Sequence, residues 1–206
     1  ASNDLNTAGN SLAGAGTQDN ALAFAGSGRA TATEEYDGTN WTTSPATLAD
    51  GRRLLGGAGT RAAGLGFGGY GVPVSAKTEE YNSSTNAITQ ASWSSGNALN
   101  TGRSHGQGAG AQTSGLYYGG STGGDSHVNN SEEYNGTSWT EGNNLNTARR
   151  YMAGSGTQTA AITSGGIAPP ADTAAVEEYD GSSWSNGTSL PCLLYTSDAA
   201  DDIGRG

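Results

Sequence analysis

Residues 34–41 read Glu-Glu-Tyr-Asp-Gly-Thr-Asn-Trp, and a Glu-Glu-Tyr motif followed by a tryptophan occurs four times in the 206-residue chain. The tyrosines of the four copies are 45, 53 and 45 residues apart, and they are Tyr36, Tyr81, Tyr134 and Tyr179. A period of this length is typical of arrays in which each repeat is one supersecondary unit that packs on its neighbours. We therefore interpret the chain as four structural repeats.

The remainder of each repeat has the pattern of short strands. Residues 13–18 read Ala-Gly-Ala-Gly-Thr-Gln, residues 153–158 are nearly identical, and apolar runs separated by glycine follow in each repeat. Runs of strand length between glycine clusters predict four short antiparallel strands per repeat. Before the last strand, two-residue type I′ hairpin turns are predicted at Asp37-Gly38, Asn135-Gly136 and Asp180-Gly181.

Four antiparallel strands form one blade of a β-propeller, so the predicted fold is an all-β propeller segment of four blades. The blades are expected at about residues 5–47, 48–98, 99–144 and 145–190. The chain begins without methionine and inside a repeat. We therefore expect it to be a fragment of a larger propeller, whose remaining blades would be its neighbours.

The repeats resemble the kelch repeat, in which Gly-Gly after an apolar strand precedes a tyrosine and then a tryptophan. An arginine four residues after a leucine also matches that pattern in three repeats, as Arg52, Arg103 and Arg149. The first repeat departs from it, with Gly9 at the arginine position and Ala25-Gly26 in place of Gly-Gly. The aromatic residues of the repeat are expected to pack between blades, and they are Tyr36, Trp41, Tyr81, Trp93, Tyr134, Trp139, Tyr179 and Trp184.

The amino-acid sequences of the repeats are similar to those of repeat arrays in phage structural and tail proteins and in environmental bacterial surface proteins. This resemblance implies a virion or an extracellular, cell-surface location.

The last fifteen residues, 192–206, break the repeat pattern and contain the only cysteine, Cys192. Residues 192–201 resemble the translation of a sequencing-library adapter, as in a metagenomic fragment. We expect a non-native or disordered tail that is not part of the propeller. No disulfide framework is then expected.

The composition limits the partners. The net charge is -10, and an acidic surface repels phosphate backbones, so no nucleic-acid partner is expected. No run of 18 apolar residues occurs, so no membrane insertion is expected. The 35 glycines bury little area, so the core must depend on the aromatic residues and on close backbone approach.

The paired glutamates of the motif invite a catalytic interpretation, because glycoside hydrolysis uses two carboxylates. Adjacent strand residues point to opposite faces, however, so one pair cannot flank one bond. We expect one glutamate of each pair to meet the repeat arginine, and the other to be solvated or to cap a turn. No catalytic residue is assigned.

The candidate binding residues are the ones that do not repeat. Tyr70, Tyr117, Tyr118 and Tyr151 interrupt small-residue strands, and Asp125, His127 and Asn129 lie in the long polar loop 120–131. That loop and the loop 82–90 are the expected contact regions, since binding usually resides in variable loops on a rigid scaffold. Oxygen ligands in loop 120–131 could hold Ca²⁺, although a solvated loop is the simpler expectation. With His105 and His127 as the only histidines, no metal and no cofactor are expected.

Three functions are compatible with a propeller of this kind. The first is a non-catalytic binding or structural propeller that contacts a glycan or protein on a host or cell surface. The second is a carbohydrate-active enzyme of the galactose-oxidase or sialidase-like propeller type, which needs an acid–base arrangement that the repeats do not supply. The third is an intracellular kelch adaptor. A propeller fold alone does not decide among them.

Overall fold

The computed structural model describes residues 4–28, 31–71, 73–83 and 91–191, which form four antiparallel sheets of four strands each. The predicted all-β fold of four propeller blades is confirmed. The first blade consists of β1 (Ala13–Thr17), β2 (Asn20–Phe24), β3 (Thr33–Tyr36) and β4 (Trp41–Thr43). The second consists of β5 (Gly56–Gly59), β6 (Ala63–Phe67), β7 (Thr78–Asn82) and β8 (Ser92–Gly96).

The other two blades repeat this order. The third consists of β9 (Gln107–Ala111), β10 (Ser114–Tyr118), β11 (Ser131–Tyr134) and β12 (Trp139–Glu141). The fourth consists of β13 (Ala153–Thr157), β14 (Ala160–Ser164), β17 (Val176–Tyr179) and β18 (Trp184–Asn186), with a small hairpin, β15 (Ile167–Ala168) and β16 (Ala171–Asp172), before β17. Among the described residues, no helix is long and apolar enough to cross a membrane.

Glycine allows the inner strands to approach one another. The first strands of the four blades lie side by side and line a common central opening. A Cβ atom at Gly57 would lie 2.6 Å from the carbonyl oxygen of Gly14, and one at Gly108 would lie 2.8 Å from the carbonyl oxygen of Gly57. A larger residue at either position would push the inner strands apart.

The Asp-Gly turns differ from the prediction. Asp37 is the first residue of a four-residue loop, 37–40, in which its N–H donates to the Asn40 carbonyl at 3.2 Å. Gly38 has a φ of 93°, whereas Asp37 keeps a negative φ. Type I′ turns need positive φ at both positions, so the predicted two-residue turn is wrong. Instead, Asp37 Oδ1 accepts from the N–H groups of Thr39 and Asn40 at 2.9 and 2.7 Å, and the side chain stabilises the longer loop.

Three of the four repeat tryptophans lie between blades. Each packs on an aromatic ring of the preceding blade, with ring centroids 5.0 Å apart for Trp93 on Phe24, 5.0 Å for Trp139 on Phe67 and 4.7 Å for Trp184 on Tyr118. Each indole N–H also donates to a hydroxyl of that blade, at 3.0, 2.9 and 2.9 Å on Thr33, Thr78 and Ser131. Trp41 contacts Tyr36 of its own blade.

The first glutamate of the motif forms a buried ion pair with the repeat arginine in three blades. The nitrogen–oxygen distances are 2.5 Å for Arg52–Glu79, 2.5 Å for Arg103–Glu132 and 3.0 Å for Arg149–Glu177. The carboxylate also accepts backbone N–H bonds from the segment before the arginine, as in the 2.6 Å bond from Asn100 to Glu132. These pairs connect the start of each repeat to its third strand.

The second glutamate joins neighbouring blades. It accepts a hydrogen bond from the motif tyrosine of the next blade, at 2.5 Å for Tyr81 on Glu35 and for Tyr134 on Glu80, and also for Tyr179 on Glu133. The expectation that this glutamate is solvated or caps a turn is therefore wrong for these three. Both carboxylates therefore serve the fold in the first three pairs, those of Glu35, Glu80 and Glu133.

Candidate functional site

Four residues that are not glycine adopt left-handed backbone at the same position in each blade. They are Ser11, Leu54, His105 and Tyr151, with φ values of 57°, 56°, 60° and 58°. We call them the rim quartet. Each lies two residues after the position of the repeat arginine, just before the inner strand of its blade. Left-handed backbone in such residues is unfavourable by about 1–3 kcal/mol and clusters at ligand-binding sites.

Backbone hydrogen bonds connect the rim quartet from blade to blade. The N–H of Leu54 donates to the carbonyl of Ser11 at 2.9 Å, that of His105 to Leu54 at 3.1 Å, and that of Tyr151 to His105 at 3.0 Å. The quartet shares a depression with the residues that follow its members, Leu12, Leu55, Gly106 and Met152. The four side chains thus meet on one surface although each comes from a different repeat.

The quartet side chains are chemically different, unlike the repeated residues beneath them. Tyr151 is 52% exposed and contacts the His105 ring, with centroids 4.6 Å apart in an edge-on arrangement. The Nδ1 atom of His105 lies 2.7 Å from the Ser104 hydroxyl. Burial lowers the pKa of His105 below its usual 6.5, and the charges of Arg150 and Arg53 lower it further. Both effects favour the neutral imidazole.

Two arginines border the quartet. Arg53 and Arg150 directly precede Leu54 and Tyr151 in the chain, and each forms an isolated backbone bridge to the loop after the second strand of its blade. The Arg53 guanidinium lies 4.9 Å from the centroid of the Tyr70 ring, which is 38% exposed. We call the quartet together with these two arginines and Tyr70 the rim face. It places two positive charges and two exposed phenol rings on an acidic protein.

The loop 120–131 contributes its predicted residues in different ways. Asp125 contacts Arg150 at 3.3 Å and is fully exposed. His127 lies 2.8 Å through Nδ1 from the Asp125 carbonyl oxygen. Asn129 donates from its side-chain amide to the Leu145 carbonyl at 2.9 Å, which fixes the loop to the next repeat. Of the three residues, only Asp125 contacts the rim face.

Tyr117 and Tyr118, also predicted as binding residues, are fully buried. The Tyr117 ring packs on the Arg103 guanidinium at 4.6 Å, and burial raises its pKa to about 12. Tyr118 packs against Trp184. Both faces of their strand are covered by neighbouring blades, so these two rings are core residues and cannot contact a ligand from solvent.

The sequence did not indicate Ser11 or Leu54, and it gave His105 no role. A signal was present, since one fixed position relative to the arginine carries four different side chains in otherwise similar repeats. The left-handed backbone itself has no sequence signature here. In the other predicted contact loop, residues 84–90 lie outside the described residues, as does the tail 192–206 with Cys192.

Within the described residues, no three His, Cys, Asp or Glu side chains come together as a metal site. In loop 120–131, the Asp125 carboxylate contacts an arginine, where a Ca²⁺ site would need converging oxygen atoms.

No protein-family model and no curated protein matches the chain. Among solved structures, one described as "Structure of YjhT" is similar, with 16% sequence identity and a TM-score of 0.75. The match covers 93% of this chain and 69% of YjhT. What the two share is the β-propeller fold.

Proposed function

We propose that this protein is a non-catalytic binding propeller that contacts a glycan through its rim face at a virion or cell surface. The observation that carries the proposal is the rim quartet. Its backbone is the same in every blade and is held by bonds between blades, whereas its side chains differ. Strained residues of this kind cluster at active sites and ligand clamps, which supports a binding role for this surface.

The chemistry of the rim face suits a sugar. Exposed phenol rings such as Tyr70 and Tyr151 present flat apolar surfaces with a polar hydroxyl, and they lose little conformational entropy on contact. The neighbouring guanidinium of Arg53 supplies hydrogen-bond donors for hydroxyl or carboxylate oxygens. A glycan can contact both groups, because its sugar rings pack on the phenol rings and its oxygen atoms accept hydrogen bonds from the guanidinium.

The paired glutamates support binding over hydrolysis. Glu132 is engaged by Arg103, and Glu133 of the same pair accepts the Tyr179 hydroxyl. Both carboxylates are thus engaged within the fold. The surface location rests on the resemblance of the repeats to phage tail and bacterial surface proteins, and labelled antibodies on intact particles or cells would test it.

A glycan array tests the binding proposal. The folded protein should capture a subset of glycans, and Tyr151→Ala should weaken that capture about tenfold by removing the exposed ring. Ile162→Ala is the matched control, because Ile162 is 45% exposed and lies on β14, outside the rim face. The proposal fails if no glycan binds, or if Tyr151→Ala and Tyr70→Ala both leave capture unchanged.

A further inference from the structure

Arg53 and Arg150 occupy equivalent positions in blades two and four. Each directly precedes a quartet residue, and each extends toward the loop that follows the second strand of the preceding blade. Arg53 lies in a groove between blades one and two, and Arg150 lies at the corresponding place between blades three and four. We call these two places the first groove and the second groove.

The second groove is occupied by the protein's own loop. Arg150 donates to the Gly124 carbonyl at 3.2 Å and lies 3.3 Å from the Asp125 carboxylate. A carboxylate from the chain thus rests on the arginine, and it shows which chemical group this position accommodates.

In the first groove, the described residues place no carboxylate on the arginine. Arg53 donates to the Ser27 hydroxyl at 3.3 Å, and the Tyr70 ring lies beside its guanidinium. The described residues that line the groove include no acidic residue, and they are Gly26, Ser27, Gly28, Gly51, Arg52, Arg53, Tyr70 and Gly71. The nearby Asp50 is engaged by Lys77, and the buried charge of Arg52 is matched by Glu79.

We propose that the first groove binds the carboxylate of a hexuronate in an acidic glycan. The carboxylate lies on Arg53, as that of Asp125 lies on Arg150, and the sugar ring packs against the open part of Tyr70. The glycines that line the groove leave room for the ring. This inference rests on the proposed glycan function and specifies its ligand.

Calorimetric titration with an oligogalacturonate tests the groove, and the same oligosaccharide with its carboxyl groups reduced is the control ligand. The wild-type protein should bind the acidic form at one site and the reduced form about tenfold more weakly, as expected for losing a charge-assisted hydrogen bond. Arg53→Gln should weaken binding of the acidic form by a similar factor. Tyr70→Ala is a second variant that removes the ring from the same groove.

Two further variants sharpen the test. Lys77→Gln removes the same charge from an exposed ion pair that does not line the groove, so the affinity should stay within about twofold. Asp125→Asn changes a residue that contacts Arg150 and does not line the first groove, so the affinity for the acidic form should also stay within about twofold.

The inference is overturned if Arg53→Gln binds the acidic form as the wild type does, or if the two ligands bind equally. Suppose that the acidic and the reduced oligosaccharide bind equally well, and that Tyr151→Ala abolishes binding of neutral glycans. This inference then fails, whereas the proposed glycan-binding function stands. If the folded protein binds neither acidic nor neutral glycans, the proposed function fails with it.

Discussion

The hydroxyl of Tyr134 donates a 2.5 Å hydrogen bond to the carboxylate of Glu80 in the preceding blade. The equivalent bond joins blades one and two through Tyr81, and blades three and four through Tyr179. One motif, Glu-Glu-Tyr, therefore serves two contacts, because its first glutamate holds its own blade together and its second meets the tyrosine of the next.

Tyr134→Phe should reduce the free energy of unfolding by about 2 kcal/mol, the usual value for a hydrogen bond to a charged group. Urea denaturation followed by tryptophan fluorescence measures this change. Tyr36→Phe is the control and should change stability by less than about 0.5 kcal/mol, because no hydrogen bond of the Tyr36 hydroxyl occurs among the described residues. Equal losses in the two variants would contradict the assigned bond.

Alkaline pH should destabilise the fold. Burial raises the pKa of Tyr117 from 10.0 to about 12, and burial together with the bound glutamate raises that of Tyr134 further. A raised pKa gives stability that is complete below pH 10 and is lost as the pH rises through the folded value. Urea midpoints should therefore fall above about pH 10. Phenolate absorbance should show tyrosines that ionise only on unfolding, and midpoints that stay constant up to pH 12 would contradict this.

Gly108→Ala should destabilise the protein by about 2–3 kcal/mol through overpacking. The added methyl group would lie 2.6 Å from the Phe67 ring and 2.8 Å from the Gly57 carbonyl oxygen. Gly142→Ala is the control, since its methyl group would meet its nearest neighbour at an ordinary 3.5 Å. Thermal denaturation of both variants measures the difference, and similar melting temperatures would show that the inner strands can separate without loss.

Arg103→Ala should lower the free energy of unfolding by about 3–5 kcal/mol, because it leaves the buried carboxylate of Glu132 without its counter-charge. Lys77→Ala should cost less than about 1 kcal/mol, since its ion pair with Asp50 is exposed. Chemical denaturation of the two variants side by side tests whether burial decides the value of an ion pair here.

The His105 ring should titrate below 6.5 in an NMR pH titration, because burial and then the charge of Arg150 disfavour the imidazolium. Arg150→Gln should move the midpoint upward toward 6.5, since one of those charges is removed. A midpoint that does not move would show that Arg150 does not act on the ring.

The sequence is sufficient to predict the blades, because the repeat specifies four similar sets of strands. It is insufficient to predict a turn where a side chain forms hydrogen bonds that favour a different backbone conformation. Asp37 forms hydrogen bonds to the amides of a four-residue loop, so its Asp-Gly pair does not make a two-residue turn. The strand pattern showed that adjacent glutamates face opposite ways, but it could not show that a neighbouring blade supplies a tyrosine to the second.

The candidate site was harder to predict than the fold. Tyr70 was indicated by its departure from the repeat, and the same criterion wrongly selected Tyr117 and Tyr118. A ring that interrupts a small-residue strand can fill a gap between blades or reach the surface, and only the packing distinguishes the two. The rim quartet depends on backbone conformation, which Ser11, Leu54 and His105 share without sharing any side-chain property.

The hydrogen bonds that join the rim quartet from blade to blade are between main-chain atoms. A change of side chain at any of these four positions therefore alters the surface and leaves those bonds in place. Specificity could therefore diverge quickly among related chains while the blades stay the same. Libraries randomised at Ser11, Leu54, His105 and Tyr151 should yield many folded proteins with different ligands.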